Sequence, residues 1–529
     1  MAFATTRTIA LQGASGHLID VQADVSPGVV GTTLVGRPDV SLNEARDRCR
    51  MAVVNSDLDW PSTRRITILL SPADMAKRGT HFDLAIAVAV LGASGQLPAA
   101  ALEDTVFVGE LTLSGGLRGV PGVLPMTLAA AARGITRVVV PEPQASEAAM
   151  VPGMSVFGMR SLAQVVAELQ GVEVPEAAPV APMSGARLLS WRGEERLGEL
   201  DLADLRGMDD ARYAVEVAAA GGHHLMLSGP KGAGKTTLAE RIPGLLPDLD
   251  PTESLELTAI HSLAGALEPG DGRLTRPPFF APHHDASKAS LLGGGTGRVR
   301  PGEISRAHCG VLFLDEFPLF RTDVIDGLRQ PLESGEVHLA RGGESATFPA
   351  RGMVVLACNP CPCGGYHAQA RHNTCDCSEL KRRVYRARVS GPVSDRIDIL
   401  RHVAPLSPHD ATDRFAEPES TATVRSRVEA ARRRQAERYA GCSWRLNGQA
   451  PGPLLGDAWP LEPAARRAVD DELYAGRLTS RGAVRVHRLA WTVADLRGVE
   501  RPGLAEADVA LRLRTGEPLD LATLARRAG

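Results

Sequence analysis

Residues 224–237 constrain this chain more tightly than any other segment. Leu225-Met226-Leu227-Ser228 is a short apolar run leading straight into Gly229-Pro230-Lys231-Gly232-Ala233-Gly234-Lys235-Thr236, a G-x-x-x-x-G-K-T pattern, and Leu238 to Ile242 then reads as a helix. Strand, glycine-rich loop and helix in that order make a phosphate-binding P-loop. The glycines let successive backbone N–H groups turn toward phosphate oxygens, and the helix N-terminus adds its partial positive charge at the same point. The pattern assigns Gly229, Pro230, Lys231, Gly232, Ala233, Gly234, Lys235, Thr236 and Thr237 to nucleotide binding. Within it Lys235 reaches the β- and γ-phosphates, and the Thr236 hydroxyl holds Mg²⁺. A nucleoside triphosphate is therefore the expected ligand.

A second segment supplies the complementary charge. Val311-Leu312-Phe313-Leu314 has the composition of a buried strand and ends in Asp315-Glu316, a Walker-B arrangement. Asp315 is expected on Mg²⁺ and Glu316 on the attacking water. Val354 to Cys358 is another apolar strand, and its terminal Asn359 suits a polar group that orients the water beside the γ-phosphate. Arg396, in Ser394-Asp395-Arg396-Ile397-Asp398, has the placement of an arginine finger acting on a neighbouring subunit. Such a residue is worth about 10³–10⁵ in rate.

The 529 residues allow two to four domains, and 44% hydrophobic with 23% charged residues is ordinary for a globular chain. A formal net charge of −3 argues against a protein that coats nucleic acid through overall charge, while leaving room for local basic loops. No apolar core follows Met1-Ala2-Phe3, so no secretory signal is expected. The longest apolar run, Leu84 to Ala93, is too short for a bilayer and reads as a buried helix. These features point to a cytoplasmic protein whose eight cysteines are thiols or metal ligands. Cys361-Pro362-Cys363 and Cys375-Asp376-Cys377 form two C-x-C pairs, a set suited to a structural Zn²⁺, with His367 and His372 as alternative ligands.

Strand-like runs at Arg65–Leu70, Thr105–Val108 and Val138–Val140 alternate with Ala-rich helical runs in the first block, which reads as an α/β domain. A Pro/Ala-rich spacer follows. The ATPase block comes next, and a helical, Arg-rich block ends the chain. Arg432-Arg433-Arg434 there reads as a solvated helix face.

Together these segments resemble the magnesium-chelatase-like AAA+ ATPases, and within them the ComM/YifB type of bacterial protein. The resemblance is carried by Asp204–Gly207, the P-loop, Ala281–His284, Arg300–Ser305, the Walker-B strand, Leu328–Val337, Asn359–Gly364, Ser390–Asp398, Thr479–Gly482 and Trp491–Leu496. Lys231 and Met208 depart from it, standing where the family usually has Pro and Gln. It implies that Arg481 is a sensor-2 arginine reaching the nucleotide from a helical lid. It also implies a homo-oligomeric ring, expected to be a hexamer, with hairpins facing a pore. The 80 residues between Lys235 and Asp315 leave room for one hairpin around Gly293–Arg300, and Arg341 would lie at the tip of a second. Arg298, Arg300 and Arg341 are the candidate DNA contacts.

The first block resembles the proteolytic domain of Lon, a ribosomal S5 domain 2-like fold, through Ala76–Leu84 and Gly109–Arg118. His81 and Leu124 stand where Lon carries its Ser–Lys dyad, so the block is expected to be non-proteolytic. The expected organisation is a Lon-like domain over 1–171, a linker over 172–190, an AAA+ core over 191–402 with a Cys-rich insertion at 361–377, and a helical lid and C-terminal domain over 403–529. The resemblance implies an ATP- and Mg²⁺-dependent motor on single-stranded or branched DNA. Its expected task is branch migration in recombination or natural transformation, alongside recombination proteins and without a membrane. Two alternatives remain: a chelatase-type subunit that remodels a protein partner, and a Lon-like ATP-dependent protease. The chelatase motor subunits generally lack the Lon-like block.

Overall fold

The computed structural model describes residues 3–75, 77–181, 195–198, 200–268, 270–295, 299–341, 344–366, 375–389, 391, 393–404 and 418–519. Arg298, His367, His372 and part of the expected linker, 182–190, lie outside the described residues.

The first block folds around a seven-stranded mixed sheet. Its order is Gly31–Val35, Arg65–Ser71, Ser15–Ser26, Phe3–Gln12, Thr105–Phe107, Arg137–Pro141, Ser155–Met159. Alternation sets the faces: Ile66, Ile68 and Leu70 point inward, as do Ile19, Val21 and Ala23 on the neighbouring strand. The apolar run expected to be a buried helix is one, Asp83–Ala93, packed on the first two strands and on the helix Val40–Val54. Every residue of it except Gly92 is buried, which explains why its sequence shows no polar stripe. Asp83 opens this helix fully buried, where burial raises its carboxyl to about 6 against the pull of Arg48, which donates to it at 2.8 and 3.0 Å. His81 and Leu124 are both buried, His81 against the Ile9 carbonyl at 3.0 Å.

The second sheet has five strands, all parallel, in the order Phe279–Phe280, Val311–Leu314, Met353–Cys358, Leu225–Ser228, Ile399–His402. Numbered along the chain from the P-loop strand this is 2-3-4-1-5. Near-continuous apolar runs suit such strands, because a parallel sheet is covered on both faces. The helix Asp209–Gly221 covers one face and is gripped by Thr421–Arg438 and Ser480–Arg497. One apolar cluster runs from Leu225 and Val355 of the sheet through Ala214 and Val217 to Val428, Leu489 and Val509 of the C-terminal helices. Two of the three consecutive arginines tie that junction together, Arg432 half-buried and Arg434 from an exposed position. Arg432 donates to the Ala219 carbonyl at 3.0 and 2.7 Å, and Arg434 to the Asp495 carbonyl at 2.6 Å.

The two sheets meet through the helix Pro251–Ala264 and an antiparallel hairpin, Glu336–Arg341 with Glu344–Pro349. The Gly122 N–H donates to the Ser262 carbonyl at 3.1 Å, and the Ser262 hydroxyl donates to the buried Glu147 carboxyl. The turn at Gly13, with φ +61°, lies so close to the hairpin that a Cβ there would meet Ala346 at 3.0 Å. Leu263, Val299, Ala346 and Phe348 close this contact with Leu11 and Leu339.

Candidate nucleotide site

The P-loop leaves the sheet after Ser228, beside two other strand ends. Gly229 donates to the Cys358 carbonyl at 3.2 Å, and a Cβ on Gly229 would meet the Val403 carbonyl at 2.2 Å. Only glycine fits a loop pressed against the neighbouring strand this closely. Gly232 and Gly234 adopt left-handed backbone at φ +80° and +85°, which turns the chain into the helix beginning at Lys235. Met208, one of the departures, packs against Gly234.

Lys235 is buried, and its Nζ donates to the Gly229 and Pro230 carbonyls at 2.7 and 2.9 Å and to Asn359 Oδ1 at 3.0 Å. Burial lowers its pKa, and Asp315 pulls it back up. The Thr236 hydroxyl donates to Asp315 Oδ2 at 2.9 Å, so two hard oxygen donors converge as Mg²⁺ requires. Five of the sequence-derived site residues, the P-loop glycines aside, are thus brought together: Lys235, Thr236, Asp315, Glu316 and Asn359. Glu316 follows Asp315 in left-handed backbone, at φ +49°. For a non-glycine residue this costs roughly 1–2 kcal/mol and aims the side chain out of the strand's path. His284 Nδ1 lies 3.7 Å from Glu316 Oε2. Its Ala281-Pro282-His283-His284 segment was legible in the sequence as part of the resemblance, but its proximity to the Walker-B carboxylate was not.

Arg396 and Arg481 lie elsewhere. Arg396 precedes the strand Ile399–His402, whose Ile399 pairs with Leu225 and whose continuation, Val403, donates to Ser228. Four strand steps of about 3.3 Å put the strand end bearing Arg396 about 13 Å or more from the chain's own P-loop. Arg396 donates to Glu333 Oε2 through Nε at 3.0 Å and Nη2 at 2.5 Å. Arg481 Nη2 stands 3.6 Å from Glu333 Oε1, and its Nη1 is 3.8 Å from Asp395 Oδ2. All three line a cavity of about 510 Å³ with Arg351, Arg485 and Arg488, and no P-loop residue lines it. The expectation that Arg481 reaches the nucleotide therefore fails for the nucleotide of its own chain, because the lid helix starts beside the N-terminal ends of the strands whose C-terminal ends carry the P-loop.

That end of the strands is anchored by Asp398. Its carboxylate accepts from Arg485 and from the His224 N–H at 2.8 Å, with His223 Nδ1 at 3.9 Å. Burial alone would raise this carboxyl, but Arg485, His223 and His224 hold it well below the usual range. Burial drives both histidines down to about 4, so they are neutral at pH 7.

The sulfur atoms of Cys361, Cys363, Cys375 and Cys377 all lie within 4.8 Å of one another. Cys361–Cys363, Cys361–Cys375 and Cys363–Cys375 are separated by 3.3, 3.5 and 3.6 Å. A tetrahedron with Zn–S of about 2.3 Å has edges of about 3.8 Å, whereas a disulfide measures about 2.05 Å. The Gly365 and Cys377 N–H groups donate to Cys363 and Cys375 Sγ, both at 3.4 Å, as around metal-bound thiolates. The Gly365 N–H, together with Cys361, pulls the Cys363 thiol down to about 6. This knuckle abuts the P-loop, since Lys231 N–H donates to the Gly364 carbonyl at 3.4 Å.

Arg300 lies in a short strand pair with Gly294, and Arg341 ends the first strand of the hairpin in register with Glu344. Among the described residues no helix is long and apolar enough to cross a membrane.

Comparison with known proteins follows the same layout. A family model described as magnesium chelatase, subunit ChlI, matches residues 201–411. One described as subunit ChlI of Mg-chelatase matches 21–144, and one described as its C-terminal part matches 418–514. An uncharacterized protein of Mycobacterium tuberculosis is 44% identical over 97% of this chain and 99% of its own length. YifB of Escherichia coli is 40% identical over 94% of each chain. Competence protein ComM of Haemophilus influenzae is 38% identical over 96% of this chain and 97% of its own.

Proposed function

Because the chain belongs to the magnesium-chelatase-like AAA+ ATPases, in the group that contains ComM and YifB, we propose that it works as a ring of identical subunits that hydrolyses ATP to move DNA. The reading rests on one observation above all. The P-loop follows the C-terminal end of its strand, whereas the pair Arg396–Arg481 sits at the N-terminal end of the neighbouring parallel strand. Each subunit then offers a nucleotide cradle on one side and two guanidinium groups on the other, and a closed head-to-tail ring joins them. A hexamer is the arrangement the resemblance implies.

The chemistry is divided between two copies. The P-loop amides and Lys235 grip the β- and γ-phosphates, and Lys235 trades its carbonyl partners for phosphate oxygens. Thr236 and Asp315 would hold Mg²⁺, which would supply neutralisation of the triphosphate's negative charge. Glu316 takes a proton from the attacking water, and Asn359, already bonded to Lys235, fixes the water's angle. Arg396 and Arg481 of the adjacent subunit stabilise charge on the departing phosphoryl group. The Cys361, Cys363, Cys375 and Cys377 set is read as a Zn²⁺ site that stiffens the loop behind the P-loop.

DNA is the proposed track. The relative named for competence covers nearly the whole chain, and Arg300 and Arg341 sit on paired-strand elements suited to following a phosphate backbone. Branch migration during integration of incoming DNA is the task this suggests. A chelatase-type remodeller is the second reading. The match of residues 21–144 to a chelatase subunit model removes the first block as an argument against it. A protease is disfavoured by His81 and Leu124. Unwinding of a synthetic four-way junction with ATP, abolished by Glu316→Gln, is the deciding experiment. ATPase activity unmoved by single-stranded DNA, with no junction processing, would favour the remodeller.

A further inference from the structure

We propose that Glu333 is the positioning residue of the arginine pair, its carboxylate locking Arg396 of the core and Arg481 of the lid into one unit that enters the nucleotide site of the next subunit. This rests on the reading that the two arginines act across a subunit boundary.

The geometry is specific. One carboxylate oxygen takes both donors of Arg396, at 3.0 and 2.5 Å, while the other faces Arg481 at 3.6 Å. The three residues come from distant parts of the chain: a short helix, Pro331–Ser334, the turn before the last strand of the sheet, and the first turn of the helix Ser480–Arg497. Two guanidinium groups repel when brought to one point, and a carboxylate between them removes that repulsion and fixes their planes. The two arginines are unequal in freedom, with Arg396 11% exposed and Arg481 57% exposed. Arg396 is already confined by its near burial. Arg481 is the group a carboxylate must recruit. Asp395 steadies the same arginine from the other side and accepts from the Thr479 hydroxyl at 3.2 Å, next to the start of the lid helix.

Glu333 also lies three residues before the first strand of the hairpin Glu336–Arg341. Gly335 between them has left-handed backbone at φ +70°.

A misplacement of about 1 Å in a catalytic group can cost up to 10²-fold in rate. Full-length Glu333→Gln is expected to lose between about 10- and 100-fold in kcat for ATP, with KM within about twofold, because its own P-loop is untouched. Glu333→Asp, which keeps the charge on a shorter arm, should recover part of that rate. The decisive measurement is mixing. Glu333→Gln subunits have an intact nucleotide cradle, whereas Lys235→Ala subunits have a dead cradle but intact arginines. Mixed rings should hydrolyse ATP faster than the sum of the two preparations, as should rings of Arg396→Ala with Lys235→Ala. A Glu333→Gln enzyme at or above the wild-type rate overturns the proposal, since the carboxylate would then be idle or a brake. Recovery with Arg396→Ala but not with Glu333→Gln overturns it too, placing Glu333 in its own subunit's site or in the fold. Recovery with neither mixture removes the cross-subunit reading itself.

Discussion

Replacing Asp398 by Asn tests the anchor that sets the lid against the core. The residue is 1% exposed, and its partner Arg485 is 8% exposed. Removing one member of a buried ion pair typically costs about 3–5 kcal/mol, because the other charge stays buried without its counter-ion. Two features place Asp398→Asn at the low end. The amide oxygen still accepts from the His224 N–H, and Arg485 keeps its bond to the Asp395 carbonyl at 3.0 Å. A loss of about 3 kcal/mol corresponds to a fall of roughly 6–12 °C in the midpoint of a domain of this size. Tryptophan fluorescence is a suitable probe, since Trp444, Trp459 and Trp491 all lie in or beside the lid, and Trp491 stacks on Arg438. Asp323→Asn is the control: it breaks a solvent-exposed pair with Arg321 and should leave the midpoint essentially unchanged. A fall of less than 1 °C in Asp398→Asn, with the control equally silent, would refute the reasoning. It would mean that the buried arginine finds water or another partner at no cost.

Other perturbations follow from the same geometry. His223 and His224 have folded pKa values of about 4 against an unfolded value of 6.5. The unfolded chain therefore binds more protons between those limits, and stability falls as pH drops from about 6.5 to about 4; a flat acid limb in denaturant titrations over that window would contradict their burial as neutral rings. Asp398→Asn should steepen the limb, because Asp398 is the charge that raises both values. Lys235→Ala should abolish ATP binding in a fluorescent-nucleotide titration, while Glu316→Gln should keep binding but slow hydrolysis by about 10²–10⁴; equal binding by both variants would detach Lys235 from the phosphates. Purified protein should carry one zinc per chain by metal analysis, and Cys363→Ser should lower both zinc content and ATPase rate. Full activity in zinc-free protein would reduce the cysteine cluster to four thiols.

Much of the nucleotide cradle was legible because its chemistry is contiguous. Gly229 to Thr237 must be neighbours in sequence, since a phosphate is held by successive amides of one loop. The carboxylate pair Asp315-Glu316 and the terminal Asn359 each end an apolar run, so composition marked both the strand and its end. The cysteine pairs announced themselves by spacing alone, and the buried helix Asp83–Ala93 by unbroken hydrophobicity.

Long-range packing decided the rest. Glu333 meets Arg396 across 63 residues, and Asp398 meets Arg485 across 87. No local pattern distinguishes those carboxylates from solvated ones. The run Arg432-Arg433-Arg434 read as a solvated face, yet two of its members tie helices together, because a carbonyl partner on another element leaves no mark on the sequence. Above all, the parallel pairing of Ile399–His402 with Leu225–Ser228 put the arginine pair and the P-loop at opposite ends of neighbouring strands. A sequence states which groups a backbone segment can present, whereas the side of the molecule on which they are presented depends on how distant strands pair.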